Sequence, residues 1–210
     1  MEKSLNNRKN SGYIAAVIGA VFLVIILFSQ LANNPSRYDT RMEESRAAKD
    51  LQFTNDPQSP IPIEERRSFQ GLTYFPIDES YLAPASLLPA DTPDTLTLMT
   101  TTGSDYQVVV AGKLQFTLQG ITHQLTAYGY LESERESYFV PFSDLTSGVS
   151  TYGGGRYLDV PKGSKLIMDF NTAYHPYCVY NATFVCPLPP SENNLTIEIR
   201  AGERNPDSRK

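Results

Sequence analysis

The sequence predicts a mainly β domain, an antiparallel β-sandwich or partly open barrel, carried behind one N-terminal transmembrane helix and a short charged helix. Three observations predict it. From about residue 94 onward, short runs with period-two alternation follow one another between turn residues, the pattern of an antiparallel sandwich or barrel. No strand–helix–strand alternation occurs, which excludes a parallel nucleotide-binding sheet. Residues 12–32 carry no charge at all.

Taken from the N-terminus, residues 1–11 form a short basic tail with Lys3, Arg8 and Lys9. The 21 uncharged residues that follow would span about 30 Å as a helix, the thickness of a bilayer core. A cleavable signal peptide is the alternative, but a cut after Ala32 places Gln30 where a small residue is wanted. We therefore expect an uncleaved signal anchor. Basic residues flank both ends of it, Arg37, Arg41, Arg46 and Lys49 on the far side, so the positive-inside count is nearly balanced. The short basic tail favours an N-terminus in the cytoplasm and the main domain outside it, on the cell inner or cytoplasmic membrane.

Residues 33–60 are expected to be a linker with a charged helix, Ser36 capping residues 37–53 and Asp39 in the first turn. Residues 61–204 form the β-rich exported domain, and 205–210 a frayed polar tail. Within the domain, Gly71–Pro76 reads as a first strand and the proline-rich stretch 77–93 as a turn or short helix near Ser80–Leu87. Strands are then expected at Thr95–Thr101, Tyr106–Ala111, Lys113–Gln119, 121–131, Tyr138–Phe142, Arg156–Val160, Lys165–Asn171 and Leu195–Ala201. Lys113–Gln119 alternates cleanly, and Gly120 turns it back as a hairpin.

The net charge of −5 becomes more acidic once the basic tail is set aside. No basic patch with interleaved aromatics occurs, which argues against nucleic acid as a partner. The expected partners are the membrane, through residues 12–32, and an envelope protein or small polar ligand. No cofactor is expected.

Residues 144–202 concentrate Gly, Pro, Tyr, Asn and both cysteines, and the candidate site residues lie there. Gly153–Gly155 before Arg156 could form an anion-binding backbone nest with a guanidinium behind it. The alternative is a β-turn with a structural Arg paired to Asp144 or Asp169. Period two puts Asp169 and Asn171 on one strand face, where they could line a pocket with Tyr174 and His175; the alternative is a loop organiser satisfying backbone donors. The Tyr-rich loops 152–157 and 174–180 would form the contact face of a binding module, with Arg156, Tyr157, Asp169, Asn171 and Tyr174 as ligand-binding residues. A hydrolase using Asp169, His175 and Arg156 is the competing reading. Cys178 and Cys186 read as a disulfide in an exported protein. A weaker alternative joins His175, Cys178 and Cys186 as metal ligands, although the spacing is no established zinc pattern. No Ser sits in a nucleophile-elbow context.

The run PFSDLTSG (141–148), TYGGGRYLD (151–159), DFNTAYHPYC (169–178), CPLPP (186–190), NNL (193–195) and AGE (201–203) resembles the family called domain of unknown function 1684. SPIP at 59–62, Phe69–Phe75 and the hairpin at 105–131 resemble it too, so the likeness covers roughly residues 44–204. It implies a bacterial or archaeal protein of unassigned activity and brings no catalytic residues with it.

Overall fold

The structure, a computed structural model, describes residues 36–92, 94–130 and 135–206 together with Ile18 and Val21. The predicted membrane segment lies outside the described residues except for Ile18 and Val21, which are helical and exposed. Among the described residues no helix is long and apolar enough to cross a membrane. Residues 1–41 and 42–210 form two compact units.

Helix α1 spans Arg37–Asn55. Its start is a reciprocal cap: the Asp39 backbone N–H donates to Ser36 Oγ at 3.0 Å, and the Ser36 N–H donates to Asp39 Oδ2 at 3.1 Å. Two donors left over at a helix start are thereby satisfied. The part of α1 from Met42 onward belongs to the second unit, where Met42 and Phe53 are buried. Phe53 meets Tyr177 and Tyr180 edge-on, with centroids 5.8 and 5.2 Å away. This stretch is packed onto the β domain rather than standing free as a solvated stalk.

Among the described residues the domain is one antiparallel sheet of seven strands, bent into a nearly closed barrel. The strands are β1 (Leu82–Pro89), β2 (Thr95–Met99), β3 (Asp105–Leu118), β4 (Ile121–Tyr130), β5 (Ser137–Phe142), β6 (Arg156–Pro161) and β7 (Leu166–Asp169). They run in the order β6-β5-β4-β3-β1-β7, with β2 also paired to β3. The end strands β6 and β7 lie against each other.

Where sequence and structure differ, the reasons are local. The two strands expected at 106–111 and 113–119 are one strand of 14 residues, bulged between Val110 and Gly112. Gly112 has φ +145°, and a Cβ there would collide with the Leu88 carbonyl oxygen, so this position needs glycine. The turn or helix expected around Ser80–Leu87 is instead a 3-10 turn, Glu79–Tyr81, running into β1. Pro84 faces Ile167 of β7, and the β3 ladder begins only at Ala85, a strand-start position that tolerates the missing N–H. The strand expected at 71–76 is reduced to a single bridge, Tyr74 to Glu203. The strand expected at 195–201 joins no named strand: Leu195, Ile199 and Ala201 are buried as an alternating pattern demands, but side chains take up part of its backbone polarity.

Alternation divides the domain into two apolar clusters. Leu114, Phe116, Leu125, Val140, Leu158 and Met168 fill the inner face, joined by Leu195, Ile199 and Ala201 from the C-terminal segment. Leu98, Val108, Tyr128, Phe139 and Tyr157 lie on the other face, packed with Tyr174, Cys178, Phe184 and Cys186. The loop from Tyr174 to Cys186 thus roofs one side of the sheet.

Candidate functional site

Arg156 opens β6, fully buried. One guanidinium nitrogen donates to Asp144 Oδ2 at 2.9 Å and to the Ile199 carbonyl at 2.7 Å; the other donates to the carbonyls of Ala201 and Glu203. Asp144 Oδ1 accepts the N–H groups of Thr146 and Ile199. Burial pulls the guanidinium pKa down, and the Asp144 carboxylate opposes that. Arg156 therefore tethers the C-terminal segment to the barrel, which corrects its reading as a ligand-binding residue: it presents no surface to a ligand. The glycines before it form a tight turn, Gly155 donating its N–H to the Tyr152 carbonyl at 3.0 Å. Gly155 has φ +82°, and a Cβ there would strike the Phe142 carbonyl oxygen, so its freedom is used for close packing and not for an anion nest.

The other sequence candidates separate. Asp169 caps the 3-10 turn Phe170–Thr172, accepting the Asn171 N–H. Asn171 is buried and exchanges bonds with the Asp78 backbone, its Nδ2 donating to the carbonyl at 2.9 Å and its Oδ1 accepting the N–H at 3.0 Å. Tyr157 is buried, meets Phe139 and Tyr174 edge-on, and donates its hydroxyl to the Pro187 carbonyl. These are organising roles, so the face expected from Asp169, Asn171 and Tyr157 is turned into the protein. Arg156 and His175 both bond to Glu203, the first to its carbonyl and the second to its carboxylate, while Asp169 caps the turn after β7.

The groups that converge do so around Glu203, also almost completely buried. Its Oε1 meets Lys49 Nζ of α1 at 2.6 Å. Its Oε2 accepts the His175 backbone N–H at 2.7 Å and the Tyr180 hydroxyl at 2.9 Å. Lys49 lies over the Tyr174 ring at 4.6 Å, and the Tyr174 hydroxyl donates to Asp159 Oδ2 at 2.9 Å. Burial raises the Asp159 pKa above the usual carboxylate range; the Tyr174 bond, Arg135 and Lys49 oppose it.

His175 Nε2 accepts the Tyr152 N–H at 3.3 Å. The bare nitrogen is therefore Nε2, and Nδ1 carries the proton, facing Glu203 Oε2 at 3.9 Å. Burial lowers the His175 pKa to about 4; Glu203 raises it, while Arg156 and Lys49 lower it. The ring is thus neutral near pH 7, with its one basic atom already engaged.

Cys178 and Cys186 are free thiols in this structure, and the Cys178 N–H donates to Cys186 Sγ at 3.2 Å. Among the described residues no three His, Cys, Asp or Glu side chains gather as a metal-binding set, so the arrangement does not support His175, Cys178 and Cys186 as ligands.

Beside this hub runs a cleft of about 760 Å³. Ile61, Phe69, Leu72 and Val179 give it apolar walls; Glu65, Thr73, His175, Tyr180 and Arg204 give it polar ones. Only His175 of these was a sequence candidate. Val179 and Tyr180 lie in the loop 174–180 expected as a contact face, and the rest lie in irregular segments, 61–73 and 204–206, where no periodicity marks a lining position. Glu203 itself was legible only as the last residue of the AGE run.

No curated protein matches the chain. The chain is similar to an uncharacterized protein from Haloarcula marismortui whose solution NMR structure is known, with 38% sequence identity and a TM-score of 0.65, covering 80% of this chain and 94% of that one. The family described as Protein of unknown function (DUF1684) matches residues 67–204, nearly all of the barrel and its C-terminal segment. By that match and by the identity to the archaeal protein, the chain belongs to this family.

Proposed function

We propose that this protein is a single-pass, membrane-anchored, extracytoplasmic β domain whose cleft binds a small molecule with an apolar body and polar ends. The observation that carries the binding reading is the cleft itself. Three separate segments wall it, and its volume falls in the range of ligand pockets. Ile61, Phe69, Leu72 and Val179 suit an apolar body, while Glu65 and Arg204 offer opposite charges for orientation. The buried hub behind the cleft holds Tyr180 and His175 in place, the preorganisation that limits ordering cost on binding.

The test is a thermal-shift screen on the detergent-solubilised full chain against small amphiphilic compounds, run in parallel on Val179→Trp. Val179 is only half-buried, so the larger side chain extends into the cleft. The expected result is a set of compounds that raise the Tm of the wild type by several degrees and leave the variant unmoved. Equal shifts in both proteins would place binding elsewhere.

The anchoring reading rests on residues 12–32 and the basic tail before them. In spheroplasts of a bacterial host, added protease is expected to digest the β domain while the chain stays with the membrane after carbonate washing. Protection of the domain, or its release by the wash, would sink the orientation or the anchor respectively.

A further inference from the structure

We infer that Cys178 and Cys186 are an oxidation site, with Cys178 the thiol that meets an incoming disulfide and Cys186 the thiol that resolves it into an intramolecular bridge. The inference stands whether or not the cleft takes a ligand. Three observations carry it. Cys186 Sγ lies 3.2 Å from the Cys178 backbone nitrogen. Cys178 Cβ is two bonds from that nitrogen, so rotation about Cα–Cβ sweeps its sulfur past its partner. The two residues differ in access: Cys178 is half-buried and Cys186 is buried. Neither is committed to a metal set among the described residues, and the contact between Cys186 Sγ and the Cys178 backbone holds the two residues adjacent, as a bridge requires.

The chemistry balances with any low-molecular-weight or protein disulfide as oxidant. The Cys178 thiol loses its proton and its sulfur attacks one sulfur of the oxidant, forming a mixed disulfide and expelling one thiol. The Cys186 sulfur, also deprotonated, attacks Cys178 Sγ and expels the second thiol. Two protein thiols are oxidised, one disulfide is reduced to two thiols, and the protons end on the expelled thiolates. Burial and the neighbouring Cys178 thiol push the Cys186 thiol up to about 12, against the Cys178 backbone N–H, which lowers it, so the second step quickens with rising pH. The bridge would close a ring of nine residues containing Val179 and Tyr180, and so stiffen the part of the roof that lines the cleft.

The experiment treats the reduced, detergent-solubilised full chain with oxidised glutathione, alkylates remaining thiols, and reads the mass. The expected product is two hydrogen masses lighter, retains no glutathione, takes up no alkylating agent, and melts about 5–10 °C higher than the reduced chain, a gain reversed by dithiothreitol. Cys186→Ser is expected to accumulate glutathione on Cys178, and Cys178→Ser to take up none while folded. Should either variant fail to fold, the wild-type mass decides alone. A glutathione adduct that persists on wild-type Cys178, or two thiols that stay open to alkylation, would overturn the inference.

Discussion

Replacing Arg156 by Met is expected to lower stability by about 3–5 kcal/mol, a fall in Tm of roughly 10 °C in a chain of this size. The side chain is fully buried and carries the ion pair to Asp144 together with the carbonyls of Ile199, Ala201 and Glu203. Met fills similar volume but donates nothing. It leaves a buried carboxylate without its counter-charge and removes the donor that held three carbonyls. That loss reaches beyond β6, because the carbonyls belong to the segment that supplies Ile199 and Ala201 to the core. A surface ligand-binding Arg would behave oppositely, with binding lost and Tm unchanged. The second variant that separates charge from volume is Arg156→Met with Asp144→Asn. Asn keeps an acceptor for the Thr146 and Ile199 N–H groups and removes the orphaned charge, so the pair is expected to recover about 1–3 kcal/mol over Arg156→Met alone. Thermal unfolding of the detergent-solubilised chain by circular dichroism reads both; an unchanged Tm in Arg156→Met would return Arg156 to the ligand site.

The same residue shows how far the sequence could be read. Its pairing with Asp144 was one of two readings open at the start, and spacing alone could not choose, because burial is decided by what packs over the strand. That cover is the 195–206 segment. Its alternation at Leu195, Ile199 and Ala201 announced burial correctly, but alternation is silent on whether a ladder or side chains meet the backbone. The β3–β4 hairpin was legible because both its signals are local: period two along Leu114–Leu118 and a turn at Gln119–Gly120, both at positive φ. The α1 cap was legible for the same reason. The cleft was legible only at the Tyr-rich loop 174–180, since segments 61–73 and 204–206, which complete its walls, are distant in sequence and each reads as an ordinary loop. Asp169 and Asn171 were open to two readings, pocket lining or loop organisation, because the residue types that build sites are also those that cap 3-10 turns and clasp backbones, and here they do the second.

Glu203→Gln is expected to cost about 2–4 kcal/mol, for a reason specific to its donors. The carboxylate accepts from three groups: Lys49 Nζ at one oxygen, and the His175 N–H and Tyr180 hydroxyl at the other. A Gln amide has only one accepting atom. If its oxygen keeps the His175 and Tyr180 bonds, its NH₂ group faces the Lys49 ammonium, donor against donor, over the Tyr174 ring. If it flips, its NH₂ group confronts the His175 N–H, which loses its acceptor. Lys49→Met combined with Glu203→Gln removes the confrontation, and the double variant is expected to be more stable than the sum of the single losses by roughly 0.5–3 kcal/mol; additive losses would mean that the two side chains act independently. The hub also sets the acid response. His175 titrates at about 4 in the folded chain, below its ordinary 6.5. The unfolded chain therefore binds the proton first, and stability present above pH 6.5 is lost as pH falls toward 4, by up to about 3 kcal/mol. The raised Asp159 pKa works in the other direction, because that carboxyl takes up its proton more readily when folded. Among the described residues, Glu203 is the facing charge that holds the His175 pKa up, against Lys49 and Arg156. In Glu203→Gln the loss is thus expected to begin at the same pH and to continue below 4, whereas His175→Gln, which can still accept the Tyr152 N–H, is expected to flatten it. Urea midpoints measured from pH 7.5 to 4 would show this, and an acid slope unchanged in His175→Gln would mean that the response arises at other groups.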